Sequence, residues 1–116
     1  MEPWLRGGEP YKYHIERRGE NMKYMLHWEM CPEDMDKVIP LFQKMAELRG
    51  TKGYPKALAP VYNFAGQTSG FTIYEVDDPQ QITNFYFHYH PLLKMTWKPI
   101  EETTNTVATY LKLKKK

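Results

Sequence analysis

At 116 residues, 41% hydrophobic and 26% charged, the chain is one domain with a real core, and disordered, collagenous and low-complexity classes are excluded. No apolar run approaches the roughly 20 residues that span a bilayer, no secretory pattern opens the chain, and the lone cysteine, Cys31, excludes an internal disulfide framework or a multi-cysteine zinc site and fits a reducing cytoplasm. The net charge of +2 belongs to the tail: without Lys112, Lys114, Lys115 and Lys116 the rest carries 12 basic and 14 acidic groups, so neither a nucleic-acid surface nor a membrane partner is expected.

Residues 1–21 form an N-terminal extension, turn-rich up to Pro10 and polar from Glu16 to Asn21. Two readings stay open. Arg17-Arg18 and a short spacer before Met22 match a translated purine-rich ribosome-binding site, which makes Met22 the start and the extension a leader. Alternatively the extension is an arm that packs through Trp4, Tyr11 and Tyr13. Residues 22–116 then form the domain with its basic tail.

Lys23 to Met30 alternates and predicts a strand, with Tyr24, Leu26, Trp28 and Met30 on one face and Met25, His27 and Glu29 on the other. Pro32-Glu33-Asp34 opens a helix. Its apolar stripe is Met35, Val38, Ile39, Phe42, Met45 and Ala46; Pro40 interrupts it and Gly50 ends it. Leu58 to Ala65 predicts a second strand, at an edge because of Pro60. Gly66 to Gly70 is a hairpin connection, and Phe71 to Val76 a third strand. Asp77-Asp78-Pro79 caps a second helix whose inward face is Ile82, Phe85, Tyr86 and Tyr89. Lys94 to Ile100 is the fourth strand. Thr103 or Thr104 caps a last helix carrying Val107, Tyr110 and Leu111.

The order βαββαβ plus a helix predicts an α+β, ferredoxin-like fold. Its helices cover one face of the sheet only, so the other face needs solvent, a ligand or a second subunit.

Three segments carry a family resemblance. They are Met22-Lys23-Tyr24-Met25 with Trp28 and Pro32-Glu33-Asp34, the run Gly70 to Pro79 (GFTIYEVDDP), and Leu92-Leu93 before a strand ending in Pro99-Ile100. The chain resembles the domain-of-unknown-function family 3303, among the dimeric α+β barrel proteins, from Met22 to about Val107. The resemblance implies a homodimer and little chemistry. Where members often carry Arg-Trp-His, this chain departs with about Val61-Tyr62-Asn63, so the family's polar site on the second strand is not carried over; Asn63 stands as a candidate ligand contact on its own.

If the mixed strand faces form the helix-free side, they line the barrel made where two sheets meet. Met25, Thr72, Thr96 and Lys98 are then candidate ligand contacts beside Asn63. His27 is a candidate base, Glu29 its orienting partner and Tyr74 a hydrogen-bond donor. The bland alternative is that these groups satisfy one another at a wet seam. His88 and His90, two apart on a helix, point to different sides and make a poor metal pair. Cys31, before a helix start, has no resolving partner in the chain. Gly70 to Val76 resembles half of an RNA-recognition signature, without its leading basic residue and with Ile73 where a second stacking aromatic belongs. No phosphate-cradling loop, dinucleotide fingerprint or nucleophile elbow occurs, so no cofactor is expected. The expectation is a small-molecule-binding or structural homodimer. The alternatives are a cofactor-independent monooxygenase- or isomerase-like enzyme with His27 as base and, third, an RNA-binding module.

Overall fold

The computed structural model describes residues 22–115, so the leader-or-arm question lies outside the described residues, as does Lys116. Five strands form one antiparallel sheet: β1 (Met22–Glu29), β2 (Lys56–Ala57), β3 (Tyr62–Asn63), β4 (Ser69–Val76) and β5 (Lys94–Ile100). The path is β2-β4-β1-β5, with β3 also paired to β4. Helices α1 (Met35–Leu48), α2 (Pro79–Tyr89) and α3 (Thr103–Lys114) complete the chain. The element order and sheet path are those of a ferredoxin-like α+β fold.

The pleat assigns the two faces. Register sets Leu26 between Thr72 and Trp97, and His27 between Phe71 and Thr96. Leu26, Trp28, Thr72, Tyr74 and Val76 are buried under the helices, with Phe85 and Tyr89 of α2 packed onto them. Tyr74, Phe85 and Trp97 make an aromatic centre, with ring centroids 5.3 to 5.8 Å apart. Aromatic rings in these tilted and edge arrangements add specific attraction to their area burial.

The second strand departs from its expected form. Leu58 to Ala65 is not one strand but the short pair β2 and β3, both hydrogen-bonded to β4. Ala57 stands opposite Tyr74 and Tyr62 opposite Phe71, so residues 58–61 bulge against only 72 and 73. Pro60 in the bulge has no N–H for the ladder. Thr72 fills the gap: its hydroxyl lies 3.1 Å from the carbonyls of both Ala59 and Pro60.

The helices also need corrections. Pro32–Asp34 is a 3₁₀ turn ahead of α1, and α1 runs through Pro40. Of its apolar stripe only Val38 and Met45 are buried, while Ile39 and Phe42 are each 43% exposed. On α2, Tyr86 is exposed rather than inward. The Asp78 cap forms as expected, accepting from the Gln80 N–H at 2.9 Å. Glu102, not Thr103 or Thr104, occupies the α3 cap position. All of α3 is exposed, Val107, Tyr110 and Leu111 included.

Candidate functional site

The stripe of α1 fails to bury because it stands over a cavity. The space, about 210 Å³, lies between the covered face of the sheet and helices α1 and α2. Its walls are mostly apolar: Leu26 and Trp28 from β1, Val38, Phe42 and Met45 from α1, Phe85 from α2 and Leu93 before β5. Ile39, Phe42 and Ala46 are exposed on one side and form its rim.

Six residues of this lining carry a side-chain hydrogen-bond donor: Arg49, Tyr74, Tyr89, Trp28, Thr72 and Asn63. Arg49 follows the last turn of α1, where a cation suits the helix dipole. Tyr74 and Tyr89 are 2% and 3% exposed. Burial pushes the pKa of both phenols up, and Arg49 pulls each part of the way back. For Tyr89, the neighbouring Tyr74 adds to the rise. Both hydroxyls therefore keep their protons at neutral pH. Trp28 is 8% exposed, and its indole N–H is buried with no hydrogen-bond partner among the described residues. Leaving such a donor unmet costs about 1–3 kcal/mol. No described carboxylate is ion-paired with Arg49.

The open face is different in character. His27 Nδ1 lies 3.9 Å from Glu29 Oε2, and both side chains are partly exposed. The His27 ring sits against Phe64, and Phe64 and Tyr62 stack on Phe71. Met25, Thr96 and Lys98 belong to the same face by register.

The expected site residues thus divide between the two faces. Met25, His27, Glu29, Thr96 and Lys98 stand together on the open face. Thr72 and Tyr74 do not join them, because even-numbered positions of β4 point under the helices. Asn63, paired with Gly70, is on the cavity side with them. His27, Glu29 and Tyr74 therefore do not converge. Thr72 is occupied by the bulge carbonyls and Asn63 donates to the Gln67 carbonyl. Arg49, Tyr89 and Trp28 escaped the sequence reading. Arg49 had a signal: it continues the spacing of Val38, Phe42 and Met45, a cation on an apolar stripe.

Elsewhere, His88 Nε2 meets the Leu41 carbonyl at 2.8 Å and His90 Nδ1 meets the Tyr86 hydroxyl at 3.1 Å, on separate partners. Cys31 is exposed. Among the described residues no helix is long and apolar enough to cross a membrane.

A family model described as a domain of unknown function, DUF3303, matches residues 22–114. The chain belongs to this family. No curated protein and no solved structure matches it. The match to DUF3303 spans every residue lining the cavity and every residue of the open face, so both surfaces belong to the family domain.

Proposed function

We propose that this DUF3303 protein binds a small, largely apolar molecule between its sheet and its helices, and that two copies pair through the open face. The observation that carries the binding reading is a mostly apolar cavity of about 210 Å³ with Arg49 in its lining and no described carboxylate ion-paired to that guanidinium. An apolar enclosure with a few convergent polar groups is the usual form of a small-molecule site.

Nitrogen–proton correlation spectra test this directly. The Trp28 indole resonance, assigned by its loss in Trp28→Phe, is followed while phenylacetamide, a neutral probe with a carbonyl acceptor, is added. A saturable shift is expected. No shift up to the probe's solubility limit counts against binding in the cavity.

A second reading rests on the His27–Glu29 pair. In a homodimer the second copy would enclose it with Met25, Thr96 and Lys98, and His27 could serve as a base there. Tyr74 would have no part in that chemistry, since it faces the other side. An enzyme of this kind loses turnover in His27→Ala while remaining a folded dimer; a purely structural dimer has no turnover to lose. The open face favours RNA less. Phe71 has aromatic neighbours, but Glu29 and Glu75 share the face.

A further inference from the structure

We propose that the cavity selects a small monocarboxylate, with its apolar body among the side chains of α1 and β1 and its carboxylate held by Arg49, Tyr74 and Tyr89. This deepens the binding reading above and rests on it.

Donors outnumber acceptors in the lining. The lining contributes the Arg49 guanidinium and two phenols; Thr72 and Asn63 already donate to backbone carbonyls, and the Trp28 indole N–H is buried. Arg49 can only donate. The phenols are held protonated by burial, so each still has a proton to give. The described ion pairs bring no carboxylate to Arg49. A site of this make-up is a poor host for an amine, which brings more donors and a like charge. It suits a group with several acceptor lone pairs and a negative charge. A carboxylate fits that description and accepts from a guanidinium in paired, charge-assisted bonds.

Size narrows the class further. A cavity of about 150 Å³ accommodates benzene. The space here, about 210 Å³, leaves room for a ring or short chain plus a head group, on the order of ten non-hydrogen atoms by the same comparison. The position of the donors sets the orientation. Arg49 lies at the end of α1 while Leu26, Val38 and Met45 form the apolar floor and wall, so a ligand would lie along α1 with its charged end toward Arg49.

Phenylacetate and phenylacetamide separate the possibilities, since they match in size and differ in charge. Both are titrated into the full chain by calorimetry and by the Trp28 indole resonance. The expected result is saturable binding of phenylacetate, tighter than the amide by roughly tenfold or more, as charge-assisted bonds exceed neutral ones. Arg49→Met should remove that preference and leave amide binding in place, with the fold checked by circular dichroism. Should Arg49→Met fail to fold, Tyr89→Phe is the second variant, and it should reduce the same preference. Equal affinity for the two probes in the unaltered protein overturns the carboxylate assignment and leaves the binding reading standing. Absence of binding by either probe overturns both.

Discussion

Gly70 is held by its surroundings rather than by its backbone angles. A Cβ there would meet the Tyr62 carbonyl oxygen at 1.9 Å and the Trp28 ring at 2.7 Å. The first contact is backbone of the paired strand β3, which cannot swing aside as a side chain does. Gly70→Ala should therefore destabilise the protein by about 3 kcal/mol, the upper part of the usual overpacking range, seen as a lower midpoint in urea. An unchanged midpoint would mean that β3 does not lie across Gly70. The two cavity phenols make a second residue-scale prediction. Their pKa values are raised in the folded state above the ordinary 10.0, with burial as the leading cause. Below pH 10 the phenols are neutral in both states and their contribution is fully present. As pH rises past 10 the unfolded chain loses those protons first and is favoured, so stability falls. Urea midpoints between pH 9 and pH 11 should drop, and Tyr89→Phe should drop less. Equal slopes for the two proteins would remove Tyr89 from the effect. Of the site residues, those readable in advance were the ones whose type stood out along a strand, such as His27 and Glu29. Arg49, Tyr74 and Tyr89 meet only when α1, β4 and α2 pack together, and no local spacing records that meeting.

At the scale of elements, alternation and capping were enough to place β1, β4, α2 and β5. The period of two in β1 and β4 separates Leu26 and Thr72 from His27 and Phe71 without ambiguity. What one strand's alternation cannot say is which face another strand's residues share, and this is why Tyr74 was placed with His27. The answer depends on register, which is a tertiary fact. The second strand departs from its expected form for a related reason: a bulge leaves the apolar run intact while breaking the ladder. The last helix was found, but its packing was not. Val107, Tyr110, Leu111 and Leu113 are all about half exposed or more, so among the described residues α3 draws no support from the core. Isolated helices of about 12 residues are marginal in water. A chain ending at Glu102 should keep its urea midpoint within about 0.5 kcal/mol, the usual range for changes away from core contacts. By contrast Asp78→Ala, which removes the α2 cap bond, should cost about 1 kcal/mol. A truncation that costs more than the lost cap would show that α3 has a packing partner, and a second copy would then be the place to look.

At the scale of the molecule, the two faces of the sheet pose different problems. The covered face has its helices, and what it lacks is an occupant for the cavity. The open face carries Met25, Phe71 and Ile73 at its centre, with Tyr62 49% exposed and Phe64 38% exposed beside them. Tyr62, Phe64 and Phe71 stack on one another, and among the described residues no helix covers this face. Contiguous apolar surface of this kind marks an interaction site more often than a solvated one. Charges of both signs surround it: Lys94 and Lys98 on β5, Glu29 on β1. A two-fold axis through the face would bring each patch against its own copy, so mixed charge is suited to self-pairing, whereas a single sign would repel. The high aromatic content of the chain, 15%, serves both the core under the helices and this second surface. Light scattering should then give about twice the 13.8 kDa chain mass at roughly tens of micromolar protein, where even weak dimers assemble. Phe71→Lys places a charge at the centre of the patch and should return the mass to that of one chain with the circular dichroism unchanged. It should also leave phenylacetate binding intact, because the cavity lies on the other side of the sheet. A monomeric unaltered protein would refute the pairing. A dimer that survives Phe71→Lys would move the interface elsewhere, with the exposed apolar residues of α3 as the remaining surface of comparable character.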